Sequence, residues 1–176
     1  EDTDELWVYY RKTDGANYDR IYLKKSSDGI DWGGTGLGTL LLDLDFGRAL
    51  SPSVVKVGDT YHMWYMDITS SPNVIKHCTS LDGENWGAEE TCNIYGTMPS
   101  GKEPWHFEVR WIPTYSEYWM LLMVCNIDAS GAGGWLMFAR SKDGVNWYLY
   151  PEVFLKPSAT GWDSDMVYKS TFIFNN

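Results

Sequence analysis

The chain has 176 residues and a mass of 20.2 kDa, which suits a single domain with a sizeable core. Its formal charge of −10 and pI near 4.6 argue against nucleic acid, because phosphate binding needs clustered Lys and Arg, and favour a neutral or cationic partner. No apolar run is long enough for a transmembrane helix, so we expect no membrane partner.

The first repeat, residues 1–45, is predicted to be a β-hairpin followed by an outer strand. Residues 6–11 and 20–25 have the composition of strands, and a Thr-Asp-Gly-Ala turn at 13–16 separates them. After a glycine-rich link, residues 40–42 predict the outer strand of the same sheet.

The second repeat, residues 46–100, has the clearest pattern. Glycine or polar turns separate three β-rich runs, and a weaker fourth strand is expected after Trp86. His62 and His77 are interpreted as ordinary strand residues. The three runs are residues 51–57, 61–66 and 74–78.

The third repeat, residues 101–160, follows the same order of strands and turns. Residues 163–176 then match the beginning of a fourth repeat, with an innermost strand at 167–174. No segment has helical periodicity, so we predict an all-β chain. The predicted strands of the third repeat are residues 107–112, 118–124, 135–139 and 148–155.

A seven-residue motif, Ser-x-Asp-Gly-x-x-Trp, occurs once in each of the three repeats. It spans residues 26–32, 80–86 and 141–147, with a spacing of roughly 50–60 residues that is typical of repeat architectures. Asp-Gly favours a tight turn, the Ser and Asp oxygens can bond turn amides, and the Trp can anchor the turn on its sheet. The alternative is three unrelated hairpin turns, since Asp-Gly alone is common.

Four-stranded antiparallel sheets repeated at this spacing predict β-propeller blades. The chain is therefore expected to be a partial propeller of about three blades, in which each innermost strand lines a central channel. Cys78, Cys92 and Cys125 match neither a metal site nor a disulfide framework, although one pair could form and leave an odd thiol.

The repeats resemble the five-bladed β-propeller glycoside hydrolases, the group around families 43, 32, 62 and 130. The resemblance covers essentially the whole chain, and its motifs are specific for the fold and only loosely diagnostic of activity. The Asp-Gly-Trp motif is also similar to the Asp-box of sialidases, which is a structural hairpin. The segments that carry the resemblance are SPSVVKVGDTYHMWYM, SLDGENW, FARSKDGVNW and GWDSDMVYKSTFIF.

The resemblance implies a general acid paired with a base or nucleophile near the starts of the innermost strands. In such families a catalytic Asp commonly precedes a Pro at the start of an innermost strand. Here Ser51 stands before Pro52, and the Asn-Asp-Pro type motif of the first blade is missing. These two departures count against hydrolysis and leave open whether the scaffold is catalytic.

Three carboxylates remain candidates for a catalytic role, namely Glu108, Asp163 and Asp45. Asp45 and Asp163 occupy matching places in the loops that lead into successive innermost strands. Each could instead cap a turn. Alternation along a strand places Glu108 on the same side as His106 and opposite Phe107.

Five further residues are candidates for substrate binding because acids, aromatic rings and an imidazole are concentrated before the innermost strands. Trp105 or Trp162 could stack on a sugar ring, and the others could form hydrogen bonds with it. The alternative is a solvated strand edge with a packed Trp. No metal ligands and no cofactor motif are predicted. The five candidates are Glu103, Trp105, His106, Trp162 and Asp165.

Two functions fit these observations. The first is a glycoside hydrolase-like propeller that acts on or binds oligosaccharides or polysaccharides, and the second is a non-catalytic carbohydrate-binding or interaction module on the same scaffold. We expect copies of the chain to associate through open sheet faces or by terminal strand pairing. We also expect a secreted or periplasmic location and, because residue 1 is Glu rather than Met, a processed or trimmed N-terminus.

Overall fold

The computed structural model describes residues 4–13, 19–42, 49–127 and 131–175, and every regular element in these ranges is a β-strand. The strands form three sheets that follow one another along the chain. This architecture confirms the all-β, β-propeller-type fold that the sequence predicts. No helix in the described ranges is long and apolar enough to cross a membrane.

Sheet 1 comes from the first repeat and has three antiparallel strands. They are β1 (Leu6–Thr13), β2 (Asp19–Ser26) and β3 (Thr39–Leu42), paired in the order β1-β2-β3. The Asp-Gly-Trp motif follows β2 here, but it follows the third strand in the other two sheets. In the described part of the chain, sheet 1 therefore has no strand in the innermost position.

Sheet 2 comes from the second repeat and matches its predicted strands closely. It contains β4 (Ala49–Val57), β5 (Thr60–Asp67), β6 (Val74–Ser80) and β7 (Glu90–Thr91), each paired antiparallel with the next. Gly58 adopts a positive φ of 58° in the tight turn between β4 and β5, a conformation that glycine tolerates. The innermost strand β4 has an irregular register between Leu50 and Ser53.

Sheet 3 contains one strand that the sequence did not predict. Its strands are β8 (Asn93–Tyr95), β9 (Lys102–Ile112), β10 (Glu117–Asn126), β11 (Trp135–Ser141) and β12 (Asn146–Leu149), in the order β8-β12-β11-β10-β9. The extra strand β8 pairs parallel with β12, although its residues fall within the second repeat. The predicted outer strand at 148–155 is shorter, and Leu155 forms only an isolated bridge with Leu136.

The segment that follows sheet 3 differs from the prediction. Among the described residues none beyond Leu155 lies in a strand, and β1 pairs with β2. The expected strand at 167–174, and its pairing with the Leu6 strand of the same copy, are therefore wrong. The segment instead packs on sheet 3, where the Val167 amide donates to the Gly134 carbonyl at 3.0 Å.

The middle sheet is buried on both faces because its neighbours pack against it from either side. Alternate residues of β5 point in opposite directions, as in any strand. Met63 and Tyr65 pack in the core shared with sheet 1, whereas Trp64 and Met66 pack in the larger core shared with sheet 3. The alternating side chains of β5 thus contribute to both cores, and sheet 2 packs between sheets 1 and 3.

The innermost strands of sheets 2 and 3 are linked directly. The Val109 amide of β9 donates to the Ser53 hydroxyl of β4 at 3.0 Å. These two strands are consequently neighbours, and Ser51 and His106, which contact each other, mark the same end of both strands. We call this end the mouth.

The repeated motif forms a hydrogen-bonded turn in all three sheets, as predicted. In the third copy the Asp143 carboxylate accepts from the Val145 and Asn146 amides at 2.9 and 2.8 Å. Burial of the motif tryptophan is complete only in this copy, where Trp147 is 0% exposed, while Trp32 and Trp86 are half-buried. The prediction of a buried anchor is thus confirmed for one motif of the three.

The three cysteines are buried and free, so the optional disulfide does not form. Burial raises the pKa of the Cys78 and Cys92 thiols to about 12. Thiols with such a pKa are protonated at neutral pH, and we assign them a packing role.

Candidate functional site

Three polar side chains meet at the mouth, and we call them the mouth cluster. They are Ser51 of β4, His106 of β9 and Tyr168 of the segment after sheet 3. The Ser51 hydroxyl is hydrogen-bonded to Nδ1 of His106, and Nε2 of His106 lies 2.7 Å from the Tyr168 hydroxyl. The Tyr168 ring also packs edge-on against the imidazole, with 4.9 Å between centroids. Three consecutive repeats thus supply one residue each.

Backbone geometry directs Ser51 towards His106. Ser51 has a φ of 52°, a conformation that is uncommon outside glycine, and it lies where the register of β4 shifts. Such conformations persist only where the surrounding structure stabilises them, and they are concentrated at functional sites. The backbone at Ser51 therefore holds its hydroxyl against the imidazole of His106.

His106 is neutral at pH 7. Burial lowers the pKa of its imidazole to about 4, and the positive charges of Lys169 and Arg11 act in the same direction. A neutral imidazole has one N–H donor and one acceptor nitrogen. The mouth cluster therefore presents uncharged groups that can both donate and accept hydrogen bonds.

Glu108 lies one alternation step beyond His106, and its carboxylate is paired. Arg110 binds it through Nη2 at 2.5 Å and Nε at 2.8 Å. The same guanidinium reaches the Thr171 hydroxyl at 3.3 Å. Phe107, on the opposite side of β9, is buried in the core, which confirms the predicted alternation. Glu108 thus acts as the counter-ion of the arginine that contacts the terminal segment.

Glu103 makes a structural contact between sheets 2 and 3. It is only 3% exposed, and its carboxylate accepts the Asn73 amide at 2.9 Å. The Asn73 side chain in turn donates to the Pro104 carbonyl at 3.0 Å. These bonds hold the β5–β6 connection against the start of β9, which directs Glu103 inward.

The two candidate tryptophans have very different surroundings. Trp105 is partly buried against two core clusters, and its indole nitrogen has no hydrogen-bond partner among the described residues. Trp162 is 98% exposed. Of the two indoles, only that of Trp162 has a face open for stacking on a ligand.

The remaining acidic candidates lie in loops. Asp163 accepts a hydrogen bond from the Ser158 hydroxyl at 2.8 Å. Asp165 is exposed. Asp45 lies outside the described residues. No group of three or more His, Cys, Asp or Glu that could hold a metal occurs in the described ranges.

A groove of about 570 Å³ continues from the mouth cluster along the innermost strands. Residues 52–56 of β4 and 107–111 of β9 line it, together with Lys169. Glu108 is the sole carboxylate among the described lining residues. The described lining residues therefore do not include the pair of carboxylates that hydrolysis of a glycosidic bond generally requires.

The sequence analysis did not identify Tyr168 as a site residue, and it interpreted His62 and His77 only as ordinary strand residues. Tyr168 could have been found from its position near the start of the fourth-repeat match, because Ser51 and His106 lie in the first halves of the two preceding innermost strands. The histidines belong to a hydrogen-bonded row between sheets 2 and 3. In that row His62 Nδ1 lies 3.1 Å from His77 Nε2, and His62 Nε2 lies 3.1 Å from the Tyr118 hydroxyl.

Comparison with known proteins supports the fold. No protein-family model matches the chain, and no curated protein matches it in sequence. An N-acetylgalactosamine deacetylase from F. plautii, solved with blood group B trisaccharide, is 22% identical over 94% of this chain with a TM-score of 0.80. A GH32 β-fructofuranosidase from Bombyx mori is 16% identical over 83% with a TM-score of 0.65.

An α-L-arabinanase from Penicillium chrysogenum, solved with arabinobiose, is 15% identical over 81% of this chain with a TM-score of 0.58. The chain spans 54%, 32% and 42% of the lengths of these three proteins. It therefore has the β-propeller fold of glycoside hydrolase-type structures. That fold hosts a deacetylase as well as glycosidases, so the chemistry must be argued from the site.

Proposed function

We propose that this chain binds carbohydrate at the mouth, as a propeller unit related to glycoside hydrolases. The observation that carries the proposal is the meeting of Ser51, His106 and Tyr168, one from each of three consecutive repeats. Sugars present hydroxyl groups that both donate and accept hydrogen bonds, and a neutral His106 between two hydroxyl side chains complements them.

An exposed aromatic ring completes the proposed site. Trp162 precedes Tyr168 by six residues in the same segment, and its indole is almost fully exposed. Aromatic faces pack well against the apolar face of a sugar ring. Three proteins of similar fold were solved with a trisaccharide, sucrose or arabinobiose, and this is consistent with a carbohydrate ligand here.

Binding without hydrolysis is favoured over a glycosidase. A glycosidase needs two carboxyl groups on either side of the scissile bond, typically about 5 to 10 Å apart. Glu108 is paired with Arg110, and Asp163 bonds Ser158, so each is already engaged. Hydrolysis remains the second candidate, with Glu108, Asp163 and Asp45 as its catalytic groups.

Isothermal titration with a panel of plant and microbial oligosaccharides tests the proposal. We expect one class of ligand to bind, and His106→Phe and Trp162→Ala each to weaken that binding about tenfold, close to the effect of losing one good contact. Phe154→Ala removes another exposed aromatic ring at the edge of sheet 3 and is the matched control. Equal affinity in all variants would contradict the proposed site.

The same panel distinguishes binding from hydrolysis. Release of new reducing ends by the wild-type chain, and its loss in a Glu108→Gln, Asp163→Asn double variant, would establish the glycosidase alternative. We expect no release, together with binding that survives in the double variant. A secreted or periplasmic location stays a prediction.

A further inference from the structure

Ser51 has an unusual backbone conformation for a residue within a strand. In the described part of the chain two residues other than glycine have a positive φ, Ser51 at 52° and Ser116 at 51°. Ser116 lies in the exposed turn between β9 and β10, where left-handed residues commonly occur. Ser51 instead lies within β4 and is only 7% exposed. Its conformation is strained, and strain of this kind is concentrated at active sites and ligand contacts.

The hydrogen bonds of His106 determine which of its nitrogens can accept a proton. Among the described residues, the Ser51 hydroxyl is bonded to Nδ1 of His106 and to no other group. The proton of a buried hydroxyl needs an acceptor, so Nδ1 is that acceptor and the imidazole proton is on Nε2. Nε2 then donates to the Tyr168 hydroxyl at 2.7 Å. His106 is thus a base directed at Ser51.

The mouth cluster therefore has the arrangement of a nucleophile, a general base and a group that orients the base. A serine hydroxyl is a weak nucleophile until a neighbouring base takes its proton, and a third group commonly fixes the tautomer of that base. The bond from Nε2 of His106 to Tyr168 provides this third contact. Such arrangements are recognised by geometry and by the role of each residue, and they occur on unrelated folds.

Space for a substrate adjoins Ser51. Pro52 and Lys169, which follow Ser51 and Tyr168 directly in sequence, line the groove of about 570 Å³. After burial, the charge of Lys169 is the next cause that lowers the pKa of His106, so its field reaches the imidazole. A cation in this position also stabilises the negative charge that develops on a carbonyl oxygen under attack. The low exposure of Ser51 strengthens that stabilisation, because charges interact more strongly where water is excluded.

We infer that Ser51 is the nucleophile of an esterase site, with His106 as its general base and Tyr168 as the residue that positions His106. The substrate class is a carboxylic ester carried on a sugar hydroxyl. The ester part follows from the residues of the mouth cluster, whereas the sugar part rests on the proposed carbohydrate function. Ester cleavage of this kind leaves glycosidic bonds intact and needs no pair of carboxylates.

The reaction has two balanced steps. In the first, Ser51 Oγ attacks the ester carbonyl carbon while its proton moves to Nδ1 of His106. The bond from that carbon to the sugar oxygen then breaks, and Nδ1 gives the proton to the departing oxygen. In the second step water attacks the acyl group on Ser51, Nδ1 takes a proton from the water, and Ser51 Oγ leaves and recovers that proton. One ester and one water become one alcohol and one carboxylic acid.

The low basicity of His106 limits the expected rate. Its pKa of about 4 keeps the imidazole neutral at pH 7 but makes it a weak proton acceptor. We therefore expect an acceleration of about a hundredfold, at the lower end of what a positioned base contributes. The catalysed rate should stay level from about pH 6 to 8, because His106 stays neutral and the nearby Lys169 and Arg11 stay charged in this range.

Hydrolysis of p-nitrophenyl acetate and labelling by a fluorophosphonate test the nucleophile. The fluorophosphonate forms a covalent phosphonyl adduct with an activated serine and releases fluoride, so peptide mass spectrometry identifies the residue. We expect the adduct on Ser51 of the wild-type chain, no adduct in His106→Gln, and ester hydrolysis about a hundredfold above that of Ser51→Gly. Tyr168→Phe should lower kcat about tenfold and leave KM unchanged, because His106 loses one hydrogen bond that orients it.

The two serines with a positive φ provide matched variants. Glycine tolerates a φ of 52°, so Ser51→Gly removes the hydroxyl and preserves the backbone conformation. Ser116→Gly makes the same change in an exposed turn and should hydrolyse the ester at the wild-type rate. Circular dichroism verifies that each variant is folded. The site of the adduct in the wild-type chain tests the nucleophile independently of any variant.

An O-acetylated xylo-oligosaccharide tests the sugar part of the inference, with released acetate as the measured product. We expect acetate release by the wild-type chain and none by Ser51→Gly. Absence of an adduct on Ser51, or equal ester hydrolysis by wild type and Ser51→Gly, would overturn the inference and leave saccharide binding in the titration panel intact. An adduct and ester hydrolysis without binding or deacetylation of any saccharide would reject the carbohydrate function and retain Ser51 as a nucleophile.

Discussion

The indole nitrogen of Trp64 donates a hydrogen bond to the carbonyl of Gly144 at 2.6 Å, across the contact between sheets 2 and 3. The indole of Trp147 donates to the same carbonyl at 2.9 Å, and both tryptophans are 0% exposed. Their rings meet edge to face, with 6.0 Å between centroids. The repeated motif therefore joins neighbouring sheets as well as closing its own hairpin.

Replacing Trp64 with Phe should destabilise the chain by about 1 to 3 kcal/mol, because the change removes a buried hydrogen bond and leaves a small cavity. Urea unfolding followed by circular dichroism measures the loss. Trp162→Phe is the matched control, since its indole is 98% exposed and its substitution should leave the unfolding midpoint in place. Equal midpoints for wild type and Trp64→Phe would argue against the inter-sheet role.

Asp143→Ala should lower the free energy of unfolding by about 1 kcal/mol or more, without changing which ligand binds. Burial raises the pKa of this carboxyl, but hydrogen bonds from Asn146, Val145 and Ser141 outweigh it and hold the pKa below its ordinary value. Chemical denaturation compares the variant with Lys142→Ala, a neighbouring exposed change. Unchanged stability with abolished binding would show that the motif serves the ligand and not the fold.

The period of the motif and the strand composition were enough to predict the three sheets. In sheet 2 the predicted runs at 51–57, 61–66 and 74–78 all fall within observed strands. The short parallel strand β8 could not be predicted, because three residues carry almost no periodic signal and their partner lies about fifty residues away. Long-range pairing of that kind depends on tertiary packing.

The site was predicted in part, for a similar reason. His106 and Glu108 were placed on one side of β9 because alternation is a local rule. The inward direction of Glu103 depends on Asn73 in another sheet, and the contact of His106 with Tyr168 depends on the segment that follows sheet 3. Sequence spacing identifies candidate residues. Their hydrogen-bond partners from other sheets and segments become visible only in the folded structure.

Stability should fall as the pH decreases from about 6.5 towards about 4. Burial lowers the pKa of His62 to about 4, with the neighbouring His77 acting in the same direction. Burial also lowers the pKa of His77, which Glu90 and Asp143 oppose. Because the unfolded state binds more protons in this window, the stabilisation is complete above pH 6.5 and is lost on acidification.

Thermal unfolding at several pH values measures this dependence. His62→Gln should reduce the difference in midpoint between pH 7 and pH 5, whatever its effect at pH 7. His106→Gln measures how much of the pH dependence comes from the mouth cluster rather than from His62 and His77 between sheets 2 and 3. A pH dependence that begins only below pH 4, where ordinary carboxyl groups titrate, would contradict the assignment to histidines.

Purified 176-residue chain should self-associate through the face of sheet 3 that is turned away from sheet 2. The described residues form three sheets, fewer than the four to eight blades that typically close a propeller ring, and among them no sheet covers this face of sheet 3. The face carries aromatic side chains around a depression of about 370 Å³ lined in part by Trp119, Phe138 and Tyr150. Apolar surfaces of this kind usually mark interfaces.

Light scattering over a range of protein concentrations measures the association, and we expect a mass above the 20.2 kDa of one copy. Tyr150→Glu places a charge on this face, where the ring is 53% exposed, and should shift the equilibrium towards the monomer. Leu81→Glu places the same charge on a side chain that is 82% exposed in the second motif, and should leave the mass unchanged. A folded wild-type chain that stays monomeric at every concentration would reject association through this face.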